Sequence, residues 1–155
     1  MKVDQNNETG KPITIEKAGW RDLNSVRHLE QVCFPLDAWP MWDLIGVLTL
    51  PNVIRLKAMS DGEMIGFVAG DVRSSEKMAW IATIGVLPQY RGQGIGAALL
   101  KACEEQVEVP RVRLCVRVSN HTAIHLYERF DYERVSIWPR YYHDGEDAVV
   151  MEKIL

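Results

Sequence analysis

Val86-Leu87-Pro88-Gln89-Tyr90-Arg91-Gly92-Gln93-Gly94-Ile95-Gly96 joins a strand pattern to a helix pattern, and its reading decides the fold. Upstream, residues 78–86 read as a strand. Downstream, residues 95–107 place Leu99, Leu100, Cys103 and Val107 along one helical side. Three glycines at alternate positions let the backbone turn tightly and come close to a ligand. The free N–H groups and positive dipole end of the following helix face this loop, which suits a pyrophosphate. Arg91 adds a charge-assisted donor. A plain loop with a tight helix start fits the same string. It is not a Walker A loop, which needs Gly-Lys-Ser/Thr after its second glycine. Nor is it a dinucleotide fingerprint, which occupies the first strand–helix turn with an acid about 20 residues on. Several strands precede this loop, so the expected ligand bears a pyrophosphate but is neither a nucleoside triphosphate nor NAD.

Outward from the loop the chain divides into short elements. Residues 53–59 and 64–72 are two strand runs around Ser60-Asp61-Gly62-Glu63, and Asp-Gly between such runs signals a hairpin. Ile13 and Ile15 alternate with polar neighbours in an earlier strand. Residues 20–34 then read as a helix stopped by Pro35, and residues 41–50 as a second helix before Pro51. Past the loop, residues 111–118 alternate strictly as a strand. Ser119 or Asn120 caps a helix reaching about Phe130. Residues 132–138 and 147–154 form a terminal strand pair around a loop over 139–146. Residues 1–11 are polar and read as a mobile tail, and residues 12–155 as a single domain. The order β-α-α-β-β-β-α-β-α-β-β implies an α+β layer fold around a mixed sheet, with about seven strands and about four helices.

Composition bounds the function. Lys plus Arg is 18 and Asp plus Glu is 21, a net charge of −3 that does not advertise nucleic-acid binding. With 47% hydrophobic residues the chain is not intrinsically disordered. No run approaches the roughly 18 to 20 apolar residues of a membrane helix, and the first eleven lack the apolar core of a signal peptide. The expected address is the cytoplasm, with no membrane partner. Cys33, Cys103 and Cys115 are too few and scattered for a disulfide framework and read as small buried hydrophobes. His121 and His125 share a helix face, but no third ligand lies at a recognisable spacing, so no metal site is expected.

Two blocks carry a resemblance. Arg91-Gly92-Gln93-Gly94-Ile95-Gly96 resembles the Arg/Gln-x-x-Gly-x-Gly/Ala signature of the GNAT superfamily of acetyl-CoA-dependent N-acetyltransferases. Asn120-His121-Thr122-Ala123-Ile124-His125-Leu126-Tyr127-Glu128-Arg129-Phe130 resembles the family's second block, Asn-x-x-Ala-x-x-Leu-Tyr-x-x-Phe. The blocks stand in family order, and the element order matches the family's mostly antiparallel sheet from end to end. Tyr141-Tyr142-His143-Asp144-Gly145-Glu146-Asp147-Ala148 is similar to the subgroup that acetylates protein N-termini, which includes the ribosomal-protein-alanine (RimI-like) acetyltransferases. The Phe34-Pro35 loop resembles that subgroup as well.

The resemblance implies acetyl-CoA as co-substrate and a protein or peptide N-terminus as acceptor. The backbone of Ile84, Gly85 and Val86 is then expected to hold the pantetheine arm and aim an N–H at the thioester oxygen. The backbone of Arg91, Gly92, Gln93, Gly94, Ile95 and Gly96 is expected to take the pyrophosphate. Asn120 contacts the pantetheine region or only caps its helix. Tyr127 protonates the departing thiolate or only packs in the core. Phe34, Pro35, Tyr141 and Tyr142, with Trp39 and Trp138, are expected around the amine entrance. A small-molecule amine or lysine acceptor, or a non-catalytic acyl-CoA-binding module, are the competing readings.

Two departures stand out. The subgroup's penultimate strand often reads Leu-Glu-Val-Arg-x-Ser-Asn, with the glutamate as general base. Here Cys115 takes its place in Leu114-Cys115-Val116-Arg117-Val118-Ser119-Asn120. The substitutes are a Cys115 thiolate favoured by Arg113 and Arg117, or water relayed to Glu30 or the Asp37 region; Glu30 also reads as a plain solvated charge. An α-amine of pKa about 7.8 is roughly a quarter neutral near pH 7.4, whereas a lysine is about 0.1% neutral. A weakly basic site therefore favours an N-terminal acceptor. The second departure is Asp131, where the family usually has glycine in a left-handed position.

Overall fold

The computed structural model describes residues 2–6 and 10–155. Its strands are β1 (Lys2–Asn6), β2 (Pro12–Lys17), β3 (Val53–Ser60), β4 (Glu63–Arg73), β5 (Met78–Val86), β6 (Arg111–Arg117), β7 (Glu133–Trp138) and β8 (Ala148–Ile154). Its helices are α1 (Leu23–Cys33), α2 (Met41–Thr49), α3 (Ile95–Glu104) and α4 (His121–Arg129). Among the described residues the strands make one sheet in the order β1-β2-β3-β4-β5-β6-β8-β7. Only the β5–β6 pairing is parallel. This is the expected α+β architecture, with eight strands in place of about seven. The added one is β1, which pairs with β2 through Lys2↔Thr14 and Val3↔Ile13 inside the stretch expected to be a tail. A polar pentapeptide has no apolar period, so only backbone pairing reveals such an edge strand. Residues 1 and 7–9 of that stretch lie outside the described residues.

Local chemistry explains the boundaries. Asp61 and Gly62 both have positive φ, 52° and 77°, the signature of the tight hairpin turn their sequence predicts. Helix α1 starts later than expected because residues 20–22 form a 3-10 turn, in which the Asp22 carboxylate accepts from the Gly19 N–H at 2.9 Å. Helix α3 is shorter than its apolar pattern. After Glu104 the chain continues through turns closed by Gln106 N–H to the Cys103 carbonyl and Val107 N–H to the Glu104 carbonyl.

The sheet separates two apolar layers. On one face α3 and α4 bury Leu99, Leu100, Cys103, Ile124 and Tyr127 against Ile65, Val68, Val112 and Leu114. On the other, α1 and α2 bury Val26, Leu29, Leu44 and Leu48 against Phe67 and Ala69. Burying a leucine contributes about 1.5–3 kcal/mol, so these layers dominate the fold's stability.

The parallel pair positions the site. β5 and β6 share only Met78↔Arg111, Ala79↔Val112 and Trp80↔Arg113, and beyond that they share no register. Just past the last pair, β5 carries a bulge: Ala69↔Thr83 is followed by Gly70↔Ile81, leaving Ala82 as the extra residue. A bulge bends its strand and strengthens the twist, consistent with a fork opening at this point.

Candidate functional site

Along the fork, residues 84–86 of β5 are paired with β4 on one side only, through Val68↔Ile84, Phe67↔Gly85 and Gly66↔Val86. Their other edge faces the gap left by β6. Unpaired strand edges need hydrogen-bond partners, so this edge suits an extended, amide-bearing ligand. Gly85 sits where the packing is tight. A Cβ there would come within 3.2–3.3 Å of Phe34, Cys33 and Leu29, so its absence lets α1 lie close to the fork. Val86 presents its carbonyl to two donors, Arg91 Nε at 3.0 Å and Cys33 Sγ at 3.3 Å.

The glycine-rich loop leaves β5 through a 3-10 turn over Pro88–Tyr90 and enters α3 at Gly94. Gly92 and Gly94 both have φ of 78°, in the left-handed region that other residues rarely adopt. These turns bring the chain to the start of α3, where the first N–H groups, including those of Ile95 and Gly96, lack helical partners. A Cβ at Gly92 would meet nothing within 4 Å, so the loop's surface is open; Gly96 is an ordinary first-turn residue near Val86. Gln93 turns its amide oxygen inward without a donor. The loop thus has the donors and the room for a pyrophosphate.

On the α1–α2 face a cleft of about 930 Å³ runs up to the fork. Its walls include Trp39, Trp42, Trp80, Trp138 and Tyr141, with the acids Asp37, Asp43 and Asp71. The rings form a ladder: Trp80–Trp138 at 5.6 Å, Trp138–Tyr141 at 5.5 Å and Tyr141–Tyr142 edge-on at 5.0 Å. Tyr141 and Tyr142, expected around the amine entrance, both line this cleft. Phe34 and Pro35, expected there too, are not among the lining residues: Phe34 caps α1 and lies close to Gly85, and Pro35 sits in a turn closed by Asp37 N–H to the Phe34 carbonyl. From the same loop, Asp37 and Trp39 are the residues in the cleft wall.

Sequence reasoning did not single out Trp42, Trp80, Asp43, Asp71 or His143, and it gave Arg117 only the part of favouring a Cys115 thiolate. Trp42 is 82% exposed on α2, and no periodicity marks an outward residue as functional. Arg117 did carry a signal, its place in the Val-Arg-x-Ser-Asn string. It donates from Nε and Nη2 to both oxygens of Asp37 at 2.8–2.9 Å, and from Nη1 to Asp144 at 2.8 Å and Glu146 at 2.9 Å. Its guanidinium also lies over the Tyr142 ring at 4.2 Å. Desolvation opposes this charge, but the bonds to Asp37, Glu146 and Asp144 win and raise its pKa.

Cys115 does line the cleft, in the place where the resemblance puts the base. It is not a thiolate. Burial pushes its pKa up to about 11. The two arginines expected to lower it are engaged elsewhere, Arg113 with Glu152 and Arg117 with its three carboxylates. Glu30 is not a solvated charge either. It is 1% exposed, accepts from the Thr83 hydroxyl, and leaves Oε2 without a partner. Burial raises its pKa, opposed by the Thr83 hydroxyl and the Trp39 backbone N–H.

Tyr127 and Asn120 belong to the opposite face. Tyr127 is buried on α4, edge-on to Tyr132 at 5.8 Å, and burial lifts its pKa to about 12. Asn120 caps α4, its side-chain oxygen accepting from the Ala123 N–H at 3.2 Å. Its amide NH₂ is the part left to meet a ligand.

The fork between two parallel strands, the glycine-turned helix start at one mouth and the acidic aromatic cleft at the other make up one candidate site. The chain belongs to the Acetyltransferase (GNAT) family, whose sequence model matches residues 23–132. It is 31% identical to an N-alpha-acetyltransferase of Sulfurisphaera tokodaii over 156 residues, covering 92% of this chain and 93% of that protein. It is 32% identical to the N-alpha-acetyltransferase RimI of Mycobacterium tuberculosis, with 92% and 93% covered. Among solved structures, the ribosomal-protein-S18-alanine N-acetyltransferase from Escherichia coli superposes with a TM-score of 0.83 at 30% identity, covering 92% of this chain and 93% of that one.

Proposed function

We propose that this protein transfers the acetyl group of acetyl-CoA to the α-amine of a protein N-terminus. The observation that carries the reading is the acidic, aromatic cleft that ends at the fork beside Cys115. Together with the carboxylates that Arg117 binds, it gathers five (Asp37, Asp43, Asp71, Asp144 and Glu146) against the guanidiniums of Arg73 and Arg117. Such an excess attracts a cationic ammonium end. The relatives named as N-alpha-acetyltransferases, matched over nearly the whole chain, support the same acceptor.

The co-substrate fits the α3–α4 side. The glycine loop and the α3 start supply donors for the pyrophosphate. The edge of β5 over residues 84–86 suits the amides of the pantetheine arm, and one of its N–H groups meets the thioester oxygen. The neutral amine, arriving from the cleft, attacks the carbonyl carbon, and the resulting oxyanion is held by that N–H. Collapse breaks the C–S bond. Tyr127, fully protonated at neutral pH, donates to the departing thiolate, giving CoA and the acetylated N-terminus. Asp37 spends both oxygens on Arg117 and Glu30 is shut away from solvent, so the amine's proton leaves to water in the cleft.

A ribosomal protein is the finer candidate for the acceptor, suggested by the activity named for the Escherichia coli neighbour. A cytoplasmic location goes with it, supported by three unpaired cysteines. No helix among the described residues is long and apolar enough to cross a membrane.

The test is CoA release with a peptide library varying the first four residues, beside polyamines and N-blocked lysine peptides. Turnover restricted to free N-termini is expected. Turnover on polyamines or lysine alone assigns the cleft to those amines, and tight acetyl-CoA binding without turnover on any amine makes the protein a binding module.

A further inference from the structure

Arg117 ties together two segments that lie 80 and 27 residues from it in sequence. The first is the loop after α1, reached through Asp37. The second is the loop between β7 and β8, reached through Asp144 and Glu146. The second loop is further fixed by the Ser119 N–H, which donates to Glu146 at 2.9 Å, and by Gly145 N–H to the Tyr142 carbonyl at 2.9 Å. Both loops wall the one cleft, the first with Asp37 and Trp39, the second with Tyr141, Tyr142 and His143.

We propose that Arg117 is a positioning residue that holds the two acceptor loops against each other, so that the acceptor meets a preformed cleft. This rests on the reading that the cleft takes a peptide amine. Three carboxylates surround one guanidinium, so two negative charges remain even with the arginine in place. Without it, three like charges face one another with no cation between them, and the loops separate. Tyr142 loses the cation stacked on its ring in the same step. A lysine offers a single compact charge and no planar fork, so it cannot serve Asp37 bidentately while reaching Asp144 and Glu146. All the contacts of the Arg117 guanidinium named above are to residues of these two loops.

The experiment compares wild type with Arg117→Gln, Arg117→Lys and, as a surface control, Arg134→Gln. Acceptor peptide and acetyl-CoA are varied separately, and hydrogen exchange is followed over residues 34–39 and 140–147. In Arg117→Gln the peptide KM rises at least about tenfold, while kcat and the acetyl-CoA KM stay within about threefold, since uniform acceptor binding is what is lost. Arg117→Lys falls between that variant and wild type, and Arg134→Gln matches wild type. Exchange quickens in both loops of Arg117→Gln, and chiefly in the first loop of Asp37→Asn. An unchanged peptide KM, or a loss confined to kcat, overturns the proposal. So does faster exchange spread evenly over the molecule. Should Arg117→Gln not fold, Arg117→Lys and Glu146→Gln carry the same comparison. A wild type that acetylates no peptide overturns the acceptor reading instead, and loop exchange then still decides whether Arg117 holds the loops.

Discussion

The Thr83 hydroxyl donates a hydrogen bond to the carboxylate of Glu30 across the interface between β5 and α1, one residue beyond the bulge at Ala82. A carboxylate so enclosed is held at a cost. Burial raises the Glu30 pKa, so its favourable contribution is present below the unfolded value near 4.5 and is lost as pH rises through the folded value. Glu30→Gln keeps an acceptor for Thr83 and removes the charge. The variant is expected to melt above wild type at pH 7.5, with the advantage shrinking toward pH 4, and to turn over within about threefold of wild type. A variant less stable than wild type at pH 7.5 contradicts this account, and a tenfold loss of turnover gives Glu30 the amine's proton.

Tyr127→Phe removes only the hydroxyl of a ring that keeps its edge-on packing against Tyr132, so folding and acetyl-CoA binding are expected to persist. Turnover is expected to fall about a hundredfold, the usual contribution of a placed proton donor. Turnover like that of wild type would return Tyr127 to a packing role. The measurement is steady-state CoA release beside acetyl-CoA affinity by calorimetry.

Gly94→Glu places a side chain on a backbone with φ of 78° and a carboxylate where the pyrophosphate is expected. Strain and like-charge repulsion act together, so acetyl-CoA affinity is expected to drop by more than about a hundredfold. An unchanged affinity would remove the glycine loop from the co-substrate site.

Cys115→Ala is expected to leave turnover within about threefold, because a thiol of pKa about 11 is no base at neutral pH. The rate at low peptide concentration then follows deprotonation of the acceptor itself, rising with pH and levelling above about 8. Reaction with thiol reagents at pH 7.5 is slow in the folded protein. An acid limb of the profile that His143→Ala abolishes would place a base on that cleft residue instead.

Asp131 follows α4 with φ of 68°, the left-handed position foreseen from the family's usual glycine. Asp131→Gly relieves about 1 kcal/mol of strain, a rise of about 2–4 °C in Tm for a domain of this size, with kinetics unchanged. Thermal denaturation decides it, and an unchanged or lower Tm refutes the strain.

The parts of the molecule legible in the sequence were those written in local backbone chemistry. Asp61-Gly62 announced its turn, the alternate glycines the tight backbone that Gly92 and Gly94 supply, and the apolar spacing of Leu99, Leu100 and Cys103 the buried side of α3. What stayed hidden depends on residues distant along the chain. Glu30 reads equally as a surface charge until β5 packs over it. Asp37, Asp144 and Glu146 are three ordinary loop acids until Arg117 brings them together. β1 lacks a side-chain pattern altogether, and the aromatic ladder joins Trp80 to Trp138 at the end of β7 and on to the loop after it, some sixty residues later.

The three-pair contact between β5 and β6 has a consequence for the life of the protein outside its reaction. A sheet interrupted from within carries raw backbone edges that invite pairing with another chain, a recognised route to aggregation. A ligand lying in that gap would serve as a missing strand. By mass action, a hundredfold excess over its dissociation constant adds about 2.7 kcal/mol to stability. The metabolic supply of acetyl-CoA would then govern not only how fast the enzyme works but how much of it survives between syntheses.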